Sequence, residues 1–123
     1  MRLTTDMLAA AYDLLRATPP FDGWNLPDSD EVRFKVLRTS ANFGDCSQDD
    51  KGWVIRLSDK LHPRLTGAIT TMAHEMIHIH LDETACQSRH ARLRSDSATH
   101  GPGFRACAVK VLKQFPEFDP ATF

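Results

Sequence analysis

The sequence predicts a single α+β domain in which three helices surround a small antiparallel three-stranded sheet. Three observations carry that expectation. Apolar residues recur at helical spacing near both ends and in the middle of the chain. Between positions 32 and 58 they alternate with polar ones instead. Pro and Gly punctuate the boundaries between these stretches. With 123 residues the chain can bury one core and has little room for a second, so residues 1–123 are expected to form one domain.

Residues 5–17 read as the first helix. Met7, Leu8, Ala11, Leu14 and Leu15 keep helical spacing, Thr4 or Thr5 can cap the start, and Pro19-Pro20 ends it. Residues 19–31 follow as a loop rich in Pro, Asp and Gly, anchored by Phe21, Trp24 and Leu26. The strands come next. Val32, Phe34 and Val36 alternate with Arg33, Lys35 and Leu37; Phe43 to Ser47 is a second strand; Trp53 to Ser58 is a third, with Trp53, Ile55 and Leu57 on one face. Asp49-Asp50-Lys51-Gly52 reads as the turn between the last two, with Gly52 able to take positive φ.

The second helix covers residues 64–82, where Leu65, Ile69, Met72, Ala73, Met76 and Ile77 form a buried stripe. Residues 83–99 are polar and carry no pattern. The last helix runs from Pro102 to Phe115, with Phe104, Ala108, Val111, Leu112 and Phe115 on one side, and Pro116 stops it.

Composition excludes several classes. Hydrophobic residues make up 41% and charged residues 25%, which is ordinary for a soluble domain. No apolar run approaches the roughly 20 residues that span a bilayer. The N-terminus MRLTTDMLAA lacks a signal-peptide core, so the expected location is cytoplasmic. Cys46, Cys86 and Cys107 are odd in number and far apart, with no C-x-x-C pair, so they are expected to be reduced thiols. Net charge is −1 but uneven. Residues 86–114 hold Arg89, Arg92, Arg94, Arg105, Lys110 and Lys113 against Asp96 alone, a candidate basic face for DNA phosphates or simply a solvated one.

The chemistry centres on His74-Glu75-Met76-Ile77-His78. On a helix, positions 74 and 78 lie one turn apart on one face, and both imidazoles can reach one metal ion. Glu75 stands beside the first ligand, placed to take a proton from a water that zinc has made acidic. Catalytic zinc usually takes three protein ligands. Leu81 and Thr84 stand where the metzincin pattern needs Gly and His, so that class is excluded. Candidates for the third ligand are His80, Asp82, Glu83, His90 and His100. His80 is about 200° round the helix from His78. Asp82 suits a hydrogen bond to a ligand better than ligation. His90 lies in the unpatterned segment. His100 opens His100-Gly101-Pro102-Gly103-Phe104, a rigid turn into a helix, and is favoured.

HEMIH followed by HGPGF resembles the SprT-like domain, whose pattern is HExxH then HGxxF, and is similar to the protease core of Spartan-type DNA–protein crosslink proteases. The resemblance extends over most of the chain, with His74 to Phe104 its specific part. It implies a zincin-like metallopeptidase fold, one Zn2+ per chain on His74, His78 and His100, and catalysis by Glu75. Many members carry a C-terminal cysteine-rich zinc ribbon, and the larger ones carry DNA- and partner-binding tails; neither stands in this sequence.

The expected function is therefore zinc-dependent cleavage of flexible protein segments, on DNA-associated or crosslinked proteins where the basic residues Arg89, Arg92, Arg94, Arg105 and Lys110 engage DNA. The competing readings are a non-catalytic zinc-stabilised binding module and a DNA-binding accessory protein. Trp53, Val54, Ile55 and Arg56 are the candidate strand for pairing with an extended peptide, against an ordinary structural role. Nothing in the sequence sets the oligomeric state.

Overall fold

The computed structural model of the chain describes residues 2–86 and 100–123. The first helix, α1, spans Thr5–Arg16 and begins where Thr4 accepts a hydrogen bond from the Met7 amide, an N-cap. Its buried stripe is Leu8, Ala11, Tyr12 and Leu15. Leu14, expected on that stripe, is 59% exposed. Tyr12 takes the inward place because its hydroxyl finds an acceptor, donating to the Pro27 carbonyl at 2.5 Å. Arg16 ties the same loop, donating to the Leu26 carbonyl and pairing with Asp28. Phe21 is fully buried, and Trp24 packs edge-on against it, as anchors of the 19–31 loop.

Three strands follow: β1 (Val32–Leu37), β2 (Gly44–Asp49) and β3 (Gly52–Ser58). The sheet is mixed, which corrects the expected antiparallel arrangement. The order is β1-β3-β2, with β1 parallel to β3 and β2 antiparallel to it. Burial explains the order. β3 is GWVIRLS, and Trp53, Val54, Ile55, Leu57 and Ser58 are all buried, so it needs cover on both faces and takes the centre. β2 is GDCSQD, mostly polar and exposed, and suits an edge. Residues 38–43 therefore carry the chain past the place that β3 fills after the turn. That turn holds Gly52 at φ 108, the left-handed conformation expected there.

Helix α2 spans Leu65–Cys86 and lies against α1, β2 and β3. Ala68, Met72, Ala73, Met76, Ile77 and Ile79 are buried along it, while Leu65, at its first turn, is exposed. The last helix, α3, spans Pro102–Gln114 and packs on α2 through Phe104, Ala108 and Val111. Beyond it, Phe115 stacks on Phe118, and a 3-10 turn, Pro120–Thr122, returns to α2. No helix among the described residues is long and apolar enough to cross a membrane.

β2 comes close to α2 because it begins with glycine. A Cβ on Gly44 would lie 2.7 Å from the Arg56 carbonyl oxygen and 3.2 Å from Thr71 Cγ2. Gly44→Ala is expected to cost about 1–3 kcal/mol through overpacking, measured by urea unfolding. Gly23→Ala, whose Cβ would meet nothing within 4 Å, should stay within about 0.5 kcal/mol of the parent.

Candidate metal centre

Helix geometry settles the first two members of the site. Residues 74 and 78 stand one turn apart on α2, and their Nε2 atoms come within 3.2 Å of each other. The third arrives from outside that helix. Gly101 and Pro102 turn the backbone into α3, and His100 just before them sets its Nε2 3.3 Å from that of His74. Phe104, buried in the first turn of α3, backs the cluster. Its ring centroid is 4.8 Å from those of His74 and His78 and 4.7 Å from that of His100.

Two nitrogens bound to one tetrahedral zinc at about 2.0–2.1 Å stand about 3.3 Å apart. The separations of 3.2 and 3.3 Å match that spacing, and all three ligand atoms lie within 4.8 Å of one another. Protonation agrees. The Thr122 carbonyl can only accept, so His74 donates to it from Nδ1 at 2.7 Å and keeps a lone pair on Nε2. Burial holds His74 below the usual histidine range. It pushes His78 down to about 4, with His74 and His100 adding to the shift. Both rings are thus neutral near pH 7, as metal ligands must be. The donor set fits a zinc ion.

The other candidate ligands fall away from this cluster. His80 stacks on Trp24, ring centroids 4.3 Å apart, outside the group. Asp82 is not among the grouped donors. The Glu83 side chain and His90 lie outside the described residues. A second group, Asp28, Asp30 and Glu31, is exposed, and Asp28 is taken up by Arg16.

Compared with protein families, residues 18–123 match the SprT-like family. The chain belongs to that family. A comparison with curated proteins finds no match. SprT-like domains are generally metallopeptidase-like and typically zinc-dependent, in keeping with the donor set.

In this SprT-like chain Glu75 is buried beside His74. Burial pushes its carboxyl up to about 7; a hydrogen bond from Cys46 opposes the rise, and the nearby charge of Asp45 adds to it. Cys46 reaches in from β2, its Sγ 3.8 Å from the Glu75 carbonyl oxygen, and burial among acidic neighbours raises its own pKa strongly. A cleft of about 660 Å³ opens beside His74 and Glu75. Phe43 and Gly44 form one wall, Thr66, Gly67, Thr70 and Thr71 of α2 another, and Glu117, Asp119, Ala121 and Thr122 a third.

Sequence reasoning missed His62. It is buried at the cleft, donating from Nδ1 to the Ser58 carbonyl at 2.6 Å and accepting at Nε2 from the Thr71 hydroxyl at 2.8 Å. It thereby clips the end of β3 to α2. Its signal was a histidine between an apolar strand and the motif helix, upstream of where a third ligand was sought.

The peptide-pairing role expected of Trp53, Val54, Ile55 and Arg56 is corrected. Each pairs with β1 on one side and β2 on the other, so β3 has no free edge. Of the basic residues, Arg105 and Lys110 are exposed on α3, and Arg89, Arg92 and Arg94 lie outside the described residues.

His100→Ala should weaken zinc binding by more than the about 10–100-fold that loss of an outer partner costs. Chelator competition measures this, and unchanged occupancy would move the third ligand elsewhere.

Proposed function

We propose that the chain is a zinc-dependent endopeptidase of the zincin-like kind, binding one Zn2+ through His74, His78 and His100 and acting on flexible protein segments. The observation that carries the reading is the cluster in which the His74 Nε2 stands 3.2 and 3.3 Å from those of His78 and His100, the separation of two nitrogens on one tetrahedral ion, with Glu75 next in sequence to His74. A zinc ion held there would supply the Lewis acidity that makes water nucleophilic near neutral pH.

The chain's own residues supply the rest. Glu75, whose carboxyl is pushed up to about 7, accepts the proton of the attacking water and returns it to the departing amine. Its burial keeps competing solvent away from that transfer. Among the described residues β2 pairs with β3 alone, and its first residue, Gly44, lines the cleft beside Glu75. An extended peptide pairs its main chain with this edge of β2, in place of β3, and offers one side chain to the cleft. Such pairing reads extended backbone, so unfolded or flexible segments are favoured over compact domains. DNA is proposed as the recruiting surface. The exposed Arg105 and Lys110 and the basic residues of 86–99 would contact phosphates and raise the local concentration of DNA-bound substrates.

The test is Glu75→Gln. It should retain stoichiometric zinc and the native circular dichroism spectrum, yet lose about 10²–10⁴-fold in cleavage of an unstructured peptide. Metal-replete protein with near-parental turnover would remove Glu75 from the reaction. A parent that binds zinc and cleaves nothing would instead favour a zinc-stabilised binding module.

A further inference from the structure

His74 is held from behind by a segment 48 residues away. Its Nδ1 donates to the main-chain carbonyl of Thr122 at 2.7 Å, and Thr122 closes the 3-10 turn Pro120–Thr122. Three further bonds brace that turn. Asp119 caps it, accepting from the Ala121 amide at 3.0 Å; the Thr122 amide donates to the Asp119 carbonyl at 3.0 Å; and the Phe123 amide donates to the Pro120 carbonyl at 3.1 Å. The Phe123 ring lies 5.9 Å from the His74 ring and stacks at 6.4 Å on Phe118, which stacks on Phe115 at the end of α3.

We infer that this turn is a positioning element for the first metal ligand. The Thr122 carbonyl selects the Nδ1–H tautomer of His74 and fixes the ring's rotation, so that its Nε2 lone pair points at those of His78 and His100. Phe123 covers the hydrogen bond. The inference rests on reading the three histidines as the zinc site. Without this acceptor both tautomers of His74 are populated and the ring turns about its Cβ–Cγ bond, and zinc binding must then select one arrangement of several. An outer hydrogen bond of this kind also raises the basicity of the ligating nitrogen, and its loss typically costs about 10–100-fold in metal affinity.

The variant that removes the interaction is Phe123→Pro. Proline disfavours helical backbone at the residue before it, which swings the Thr122 carbonyl away, and it deletes the Phe123 amide bond. Phe123→Leu keeps the backbone and an apolar cover and serves as the conservative variant. Zinc affinity is measured by chelator competition, and ligand geometry by the visible absorption of the cobalt-substituted proteins. The expected result is a Kd about 10–100-fold weaker with an altered cobalt spectrum for Phe123→Pro, and affinity within about threefold of the parent for Phe123→Leu. Should Phe123→Pro fail to fold, Asp119→Ala against Asp119→Asn repeats the comparison, since asparagine keeps the cap and alanine loses it. Parental affinity and an unchanged cobalt spectrum in folded Phe123→Pro overturn the inference while leaving the zinc site intact. A parent protein with no zinc affinity overturns the zinc site itself.

Discussion

Helix α2 touches α1, β2, β3, α3 and the C-terminal turn, and a helix so enclosed can carry polar side chains only where each has a partner. An unpaired buried polar group costs about 1–3 kcal/mol. Thr70 answers by donating to the Thr66 carbonyl, Thr71 by donating to His62, and His74 by donating to Thr122. These partners come from three places: the helix itself, the loop after β3 and the C-terminal turn. The rest of the architecture follows from that requirement. His62 has to stand in the loop just past β3, and the chain beyond α3 has to come back to α2. The apolar residues of α2, Met72, Met76 and Ile77, meanwhile face the core, and that division keeps the site's polar groups together.

Much of this was legible in the sequence, because the main signals were local. The i, i+4 histidine pair needs only a helix, and the apolar stripe around it announces one. The turn at His100-Gly101-Pro102 and the buried Phe104 follow from residues adjacent to each other. The three helices and the Gly52 turn read correctly for the same reason. Failures came where the deciding partner is distant. Strand alternation shows which residues face inward but not which strand is the neighbour, so the mixed order β1-β3-β2 was missed. The apolar run in β3 was the available clue: a strand buried on both faces belongs in the centre, and a central strand cannot bind a peptide edge. Tyr12 was passed over for Leu14 because a hydroxyl counts as polar until the Pro27 carbonyl appears beside it. The hydrogen bond from His74 to Thr122 has no periodicity or motif that could announce it.

Keeping His74, His78 and Glu75 out of water inside a domain this small works against stability, since burial lowers the pKa of both imidazoles and raises that of the carboxyl. Each of those groups would rather be solvated, and the His74 Nε2 faces those of His78 and His100 at 3.2 and 3.3 Å, where their lone pairs repel unless positive charge stands between them. A bound cation offsets both costs, since a ligand that binds only the folded state stabilises it by about 4 kcal/mol at a thousand times its Kd. The unfolded chain offers a poor alternative, because His100 is 26 residues from His74 and the pair at 74 and 78 faces one way only on a formed helix. On the proposed zinc reading, metal affinity and folding would therefore be coupled through the geometry of α2. The C-terminal turn would tighten that coupling. The acceptor for His74 lies at position 122, so on that reading the first ligand would be oriented only once α3 and the segment after it have docked on α2. A partly folded chain, with α2 formed but its C-terminal part undocked, would hold the His74–His78 pair without His100 or the Thr122 carbonyl. On the zinc reading, that intermediate would lack both a complete ligand set and an oriented one, which would confine a competent site, with Glu75 buried beside it, to the fully folded protein.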